Sequence, residues 1–159
     1  MKRFSFHVEW LRLGAAVAFA GIILPAWSAT PDVIARGGYL TRITGCVGCH
    51  TPRTRDGDVV EARLMSGGDH PIAGNLGRVF PPNVTPDKAT GLGTWAVTDI
   101  AKAITTGRTP DGRILSTAMP WRTQFSNLTE SDALAIALYL KSLPAIRNTV
   151  PSPIASSKR

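Results

Sequence analysis

The 159-residue chain contains only two cysteines and three histidines, so side chains that react as thiols or bind metals are scarce. Acidic residues are also few, with 11 Asp and Glu against 18 Lys and Arg, which gives a formal net charge of +7. A positive protein favours acidic partner surfaces. No recognisable nucleic-acid-binding motif accompanies the charge, so we expect no nucleic acid partner.

Long apolar runs are missing after the N-terminus. Residues 13–24 form an uncharged apolar run that follows three positively charged residues, and small residues lie just before position 29. This layout is typical of a secretory signal peptide, and a run of 12 residues is short of the roughly 20 that a membrane-spanning helix needs. We predict a signal peptide at 1–28 and export to the periplasm, with membrane contact only if the signal peptide is retained.

Helix signals occur at both ends of the remaining chain. Thr30 followed by Pro31 predicts the start of a helix that extends to about Thr44. The apolar run at 133–140 predicts a largely buried helix, which begins after the capping residue Thr129.

Two adjacent glycines, Gly37 and Gly38, lie in the middle of the first predicted helix. Each costs on the order of 1 kcal/mol of helix propensity relative to alanine. We expect the C-terminal helix to cross closely at this point; the alternative is a weak or frayed first helix.

The segment between the helices, residues 57–95, is rich in glycine and proline and has no long periodic pattern. A compact domain rarely carries so long a loop without a reason, and apolar residues are spread through it, which a disordered linker would not need. Irregular backbone around a large apolar cofactor explains both features. A short helix is predicted near 98–107, one all-α domain at 29–150, and a disordered tail at 151–159.

Both cysteines lie in one motif, in which Cys46 and Cys49 are three positions apart and His50 follows directly. A redox dithiol would need a βαβ setting, which the sequence lacks. A structural zinc site needs four ligands, and only one further histidine, His70, remains after residue 28. A disulfide between the two would close a very small loop and stabilise little.

Covalent haem attachment, in contrast, uses all three residues. Two thiols can add to the two vinyl groups of one porphyrin edge, and the next residue then lies under the ring, where an imidazole can bind iron. The spacing therefore predicts one covalent haem c, attached through Cys46 and Cys49 and ligated by His50. Candidates for the second axial ligand are Met65, His70 and Met119. We favour Met119, which precedes a proline and the final helix, and expect Met65 and His70 to be core filler or surface residues.

The chain resembles the small class I c-type cytochromes, and most of all the cytochrome c domains of bacterial periplasmic alcohol and sugar-acid dehydrogenases. The resemblance covers about residues 33–150. It rests on the motifs RGGYL, CVGCHTPR, NVTPD, TGLGTW, DGRIL, AMPW and LTESDALAIALYLKSLP. It implies a small cytochrome c fold in which the first and last helices cross near the haem. It also implies thioether bonds at Cys46 and Cys49, a proximal His50 and a distal Met119. Many dehydrogenase cytochrome subunits carry three such domains, whereas this chain has one motif.

Ligation by His50 and Met119 would close the iron to substrates, so we expect an electron-transfer protein rather than an enzyme. It would carry single electrons between a periplasmic dehydrogenase and an oxidase or another cytochrome. One alternative is a cytochrome subunit of a dehydrogenase complex, and another is an open-site haem enzyme or gas sensor. Asn83 and Trp95 are candidate contacts of the haem or its propionates. A basic rim round the haem edge is expected from Arg53, Arg55, Arg63, Arg78, Arg108, Arg113 and Arg122.

Overall fold

A computed structural model describes residues 29–155, so the predicted signal peptide at 1–28 and residues 156–159 lie outside the described residues. Within the described part, no helix is long and apolar enough to cross a membrane. The α-helices are α1 (Pro31–Ile43), α2 (Cys46–His50), α3 (Val97–Thr106) and α4 (Glu130–Ser142), the strands are β1 (Ile72–Gly74) and β2 (Gly77–Val79), and short 3-10 turns occupy Glu61–Arg63 and Phe125–Asn127.

Helix α1 begins and ends where the sequence predicts. The side chain of Thr30 caps its N-terminus by accepting a hydrogen bond from the Val33 amide over 3.4 Å. Pro31 occupies the first helical position, where its missing N–H costs no hydrogen bond.

Helices α1 and α4 cross at the glycine pair, which confirms the expected close approach. A Cβ built at Gly37 would overlap the carbonyl oxygen of Ala135 and lie 2.7 Å from Cβ of Tyr139. An ion pair between Arg36 and Asp132, with Nε and Oδ1 3.0 Å apart, lies beside the crossing. The missing side chain at position 37 is therefore what lets the two backbones meet.

The hydrophobic core lies between α1, α3 and α4 and extends to the segments around them. Helix α4 is buried on nearly every side, because Ala133 to Ala137 and Leu140 are all buried. The remaining buried apolar residues of the core cluster are Leu40, Val47, Met65, Ile100, Ala101, Ile104 and Phe125. The expected mostly helical architecture, in which the first and last helices pack together, is confirmed.

The long segment at 57–95 is not wholly irregular. Strands β1 and β2 form an antiparallel hairpin, in which Ile72 pairs with Val79 and Gly74 with Gly77. Gly77 has φ of +90°, a conformation that favours glycine at the end of this tight turn. The hairpin is the only sheet among residues 29–155, and three-residue strands give too weak an alternation to be read from the sequence.

The chain continues past α4 as an extended segment. Residues 145–150, which we name the C-terminal strap, run back over the loop that follows β2. Ile154 then exchanges two backbone hydrogen bonds with Arg78, at 2.8 and 2.9 Å. The predicted tail at 151–159 thus contains one paired residue in its described part, and its disorder stays a prediction.

Candidate functional site

The two cysteines and the histidine of the motif lie on one short helix. Helix α2 has five residues, and it follows Gly45, whose φ of +84° lets the chain turn sharply out of α1. Residues three positions apart share a helix face, so Cys46 and Cys49 project to the same side. Both are free thiols; Cys46 is half-buried and Cys49 is exposed.

The surroundings of Cys46 do not suit a redox dithiol. Burial raises the pKa of its thiol, and the Thr44 hydroxyl, 3.3 Å from Sγ, lowers it less. A thiol with a raised pKa is mainly protonated at neutral pH and reacts poorly as a nucleophile in disulfide exchange. The geometry therefore agrees with the sequence in disfavouring thiol–disulfide chemistry.

His50 is held by a backbone carbonyl from a distant part of the chain. Its Nδ1 lies 2.8 Å from the oxygen of Pro82, which can only accept, so Nδ1 carries the proton. The lone pair of the imidazole is then on Nε2, the form in which histidine binds a metal. Desolvation of the half-buried ring lowers the pKa of His50, although the Pro82 carbonyl opposes this, so the ring is neutral at neutral pH.

Met119 lies in a turn that is fixed by backbone hydrogen bonds to the residues before and after it. It is half-buried and packs against the hydrophobic core. Its amide donates to the Ser116 carbonyl over 3.1 Å, and its carbonyl accepts from the Trp121 amide over 2.8 Å. The turn is therefore fixed while the thioether stays partly accessible, although no observation here tests its predicted role as a ligand.

The β1–β2 hairpin supports the Met119 turn from outside. The Asn75 side chain accepts a hydrogen bond from the Thr117 amide over 2.9 Å, and the Asn75 amide donates to the Thr117 hydroxyl over 3.1 Å. A Cβ at Gly74 would lie 2.8 Å from the Ala118 amide nitrogen. The hairpin thus fixes the position of the turn that carries Met119.

The other two candidates for the second ligand occupy different environments. Met65 is 1% exposed and belongs to the core cluster. The side chain of His70 is 75% exposed and its Nδ1 lies 2.8 Å from Asp69. A core and a surface position are what the sequence suggested for these two residues.

Asn83 and Trp95 differ in what they can offer a cofactor. Both amide hydrogens of Asn83 are used within the protein, on Thr90 and on the Ile146 carbonyl, so its side chain has no N–H left to donate to a propionate. Trp95 is half-buried against the core, and its indole N–H has no hydrogen-bond partner within residues 29–155. Trp95 therefore keeps a free donor.

Several apolar side chains of the long segment and of the Met119 region remain only half-buried although they pack on the core. They are Val59, Leu64, Val84, Leu92, Trp95, Met119 and Trp121. Half-buried apolar surface of this kind suits a large apolar group, since covering it is favourable. Together with two thiols on one helix face and a neutral imidazole with a free Nε2, these residues fit covalent haem.

The seven arginines of the expected basic rim are exposed, but the side chains of three of them make contacts within the protein. Arg53 donates to the Gly48 carbonyl over 3.1 Å, so this arginine ties down the helix of the motif. Arg113 pairs with Asp111, and Arg122 stacks over the ring of Trp121 with 4.7 Å to its centroid. The other four arginines of the rim are exposed, namely Arg55, Arg63, Arg78 and Arg108.

Sequence reasoning missed three contributors to the site. The carbonyl of Pro82 is a backbone group, and no side-chain pattern announces it. The pairing of Asn75 with Thr117 joins residues 42 positions apart. Lys141, in the last turn of α4, donates to the carbonyls of Leu92, Gly93 and Trp95.

Comparisons with known proteins identify the family of the chain. The family model described as cytochrome c matches residues 34–144. The chain is 30% identical to the cytochrome c subunit of a quinone-dependent alcohol dehydrogenase from Komagataeibacter europaeus, over 79% of this chain and 26% of that protein. It is 30% identical to the fructose dehydrogenase cytochrome subunit of Gluconobacter japonicus, over 82% of this chain and 26% of that protein. A diheme cytochrome c-type protein of Cereibacter sphaeroides is 37% identical, over 77% of this chain and 40% of that protein. The chain thus spans about a quarter of the two dehydrogenase subunits.

Proposed function

Because the chain belongs to the cytochrome c family, we propose that it is a periplasmic monohaem cytochrome that transfers single electrons without binding a substrate. Membership of the family implies covalent haem c. The attachment of one haem through Cys46 and Cys49 is part of the proposal. The observation that carries it is the anchored ring of His50, with Nδ1 donating to Pro82 over 2.8 Å and Nε2 free.

The bound haem would supply a one-electron couple, and this chain's residues would set its conditions. His50 and Met119 would hold the iron between them, which would leave no open position for a substrate. A thioether ligand favours reduced iron and raises the reduction potential. The half-buried apolar residues of the site exclude water and disfavour the extra charge of the oxidised state in the same direction.

The proposed partners are redox proteins of the periplasm. The electron donor is a dehydrogenase, and the acceptor is an oxidase or another cytochrome. Without residues 1–28 the chain has 15 Lys and Arg against 10 Asp and Glu, a net charge of +5. This charge favours acidic docking surfaces and a short-lived, salt-sensitive contact.

A second candidate is a lasting place in a dehydrogenase complex. The names of the relatives favour it, since the alcohol and fructose dehydrogenase proteins are described as subunits. Both roles use the same electron-transfer site, and they differ in whether the partner leaves between transfers.

Optical spectra of the protein, exported alongside the haem-attachment machinery, test the site. We expect a reduced c-type spectrum that carbon monoxide leaves unchanged, and a weak long-wavelength sulfur-to-iron band in the oxidised protein. Rapid binding of carbon monoxide would instead indicate an open-site haem enzyme or gas sensor. Absence of covalent haem would overturn the proposal.

Matched methionine variants assign the second ligand. Met119→Ala should lose the sulfur-to-iron band and bind carbon monoxide. Met65→Leu changes a buried methionine with little change in volume, so it should keep both the band and the closed site. If Met65→Leu lost the band and Met119→Ala kept it, Met65 would be the second ligand and the proposed role of Met119 would be wrong.

Purification from the native host separates the two roles. A dehydrogenase subunit should co-elute with its enzyme through size exclusion at both low and high salt. A free carrier should elute alone at high salt and pass electrons from the enzyme when the two are mixed.

A further inference from the structure

The C-terminal strap is bonded to the segment that follows Pro82. The Ile146 carbonyl accepts from Nδ2 of Asn83 over 2.7 Å and from the Thr85 hydroxyl over 3.3 Å. The Asn148 amide donates to the hydroxyl of Thr90 over 3.0 Å, and the same hydroxyl accepts from Asn83 over 2.9 Å. Asn83 is 3% exposed and Thr85 is fully buried, so these bonds are shielded from water on the side of the loop.

The strap is also bonded to the turn at residues 65–67. The side chain of Asn148 donates to the Ser66 carbonyl over 2.8 Å. Val150 lies so close to Gly67 that a Cβ there would be 2.5 Å from Cγ1 of the valine. Met65 has φ of +61°, in the left-handed region that is unfavourable for a side chain of its size. A turn of this kind persists only where the surrounding contacts hold it.

Both segments that the strap holds contact His50 directly. From one side, the Gly67 amide donates to the His50 carbonyl over 2.8 Å. From the other side, the Pro82 carbonyl accepts from the ring at Nδ1 over 2.8 Å. Pro82 adjoins Asn83, and Ser66 adjoins Gly67, so each contact with the histidine lies one residue from a bond to the strap.

We propose that the C-terminal strap is a positioning element for His50, acting through Asn83 and Asn148 on the two segments that grip the histidine. The inference rests on the proposed function, because it takes His50 as an axial ligand. The strap then decides how firmly the ring is held against the Pro82 carbonyl. The side chains of Asn83 and Asn148 make no hydrogen bond to the His50 ring, so their effect passes through the backbone.

Asn83 is suited to this role because its amide is saturated. Its two hydrogens go to Thr90 and Ile146, and its oxygen accepts from the amide and the hydroxyl of Thr85. Removing the amide would leave buried partners unsatisfied at the residue next to Pro82. Asn148→Ala is the milder substitution, since the Asn148 side chain makes a single hydrogen bond, to the Ser66 carbonyl.

The test is proton exchange at the His50 ring in the reduced holoprotein. With nitrogen-15 in the histidines, NMR follows both the Nδ1 resonance and the rate at which its proton exchanges with deuterium. We expect Asn148→Ala and Asn83→Ala to raise this rate about tenfold, the order of effect that one lost hydrogen bond produces, and to shift the Nδ1 resonance. Asn127→Ala, which removes an exposed amide that donates to the Thr123 carbonyl over 3.3 Å, should change neither.

A core variant distinguishes positioning from a general loss of stability. Ile104→Ala removes buried volume from α3, a helix that makes none of the hydrogen bonds of the strap. If the strap variants exchange no faster than an Ile104→Ala protein of equal stability, the strap does not position His50. If the unmutated protein shows no iron-bound His50, the proposed function fails instead, so the two failures are told apart. Should Asn83→Ala not fold, Asn148→Ala decides the inference alone.

Discussion

Gly37 of α1 and Ala135 of α4 are in backbone contact, and a Cβ at position 37 would overlap the Ala135 carbonyl oxygen. Neither backbone can move away without separating α1 from α4, the helix that carries six of the fourteen buried apolar residues of the described chain. This contact therefore links one missing side chain to the packing of the whole domain.

Replacing Gly37 with alanine should destabilise the protein by about 1–3 kcal/mol, the usual cost of forcing extra volume into a packed contact. The loss should appear although alanine favours a helix by on the order of 1 kcal/mol. Denaturant unfolding of the holoprotein measures it. Gly38→Ala is the matched control, because its Cβ would meet the ring of Tyr139 at 3.0 Å, and a ring can shift. Equal losses in the two variants would contradict a specific contact at Gly37.

Replacing Lys141 with methionine should loosen the loop that precedes α3. The ammonium group donates to the carbonyls of Leu92, Gly93 and Trp95 at 2.9 to 3.3 Å, and all three bonds are lost together. We expect the free energy of unfolding to fall by about 1–3 kcal/mol, with faster amide exchange at residues 92–95. Lys102→Met, on the exposed side of α3, should leave both unchanged. An unaltered loop in Lys141→Met would mean that the lysine only complements the end of α4.

The ion pair at the helix crossing should make stability depend on pH in acid. The hydrogen bond from Arg36 lowers the pKa of the Asp132 carboxyl below its ordinary value of 3.8, and desolvation opposes this. A carboxyl with a lowered pKa stabilises the fold above its unfolded pKa and loses that effect as the pH falls through the folded pKa. The unmutated protein should therefore exceed Arg36→Gln in stability at pH 7, and the difference should shrink by pH 3. Unfolding curves at the two pH values measure it, and a constant difference would show that the pair contributes nothing through charge.

Electron exchange with small reagents should reveal the sign of the charge near the site. With a net charge of +5 after residue 28, oxidation by an anion such as ferricyanide should slow as salt is added. Oxidation by a cationic cobalt complex should accelerate under the same conditions. Arg122→Gln, close to Met119, should weaken both effects, whereas Lys102→Gln should not. Stopped-flow rates at several ionic strengths measure this, and equal responses to both reagents would argue against a basic rim.

The expected contact between Trp95 and the haem can be tested by removing the indole N–H. Its N–H has no partner within the described residues 29–155, so it is available to a haem propionate. Trp95→Phe keeps most of the apolar surface and removes this donor. We expect the reduction potential to fall, because an unpartnered propionate charge stabilises oxidised iron, and voltammetry measures the shift. An unchanged potential would assign the tryptophan to packing alone.

The elements that the sequence determined are the ones set by neighbouring residues. The caps at Thr30 and Thr129, the apolar run of α4 and the order Cys46, Cys49, His50 are local patterns, so one stretch of chain carries the whole signal. The family motifs are local in the same sense, and they were sufficient to predict the fold. The glycine pair predicted the helix crossing because glycine lowers helix propensity, and a close helix contact accounts for its presence there.

Only the tertiary structure decided how the histidine and the loops are held. The Pro82 carbonyl lies 32 positions from His50, and the Ile146 carbonyl lies 63 positions from Asn83. Lys141 meets Trp95 across 46 positions. Such pairs bring together backbone groups that every residue possesses, so no residue type marks them in advance. They form because the fold brings segments that are distant in sequence, such as the strap after α4 and the loop after β2, into contact, and buried polar groups there must find partners.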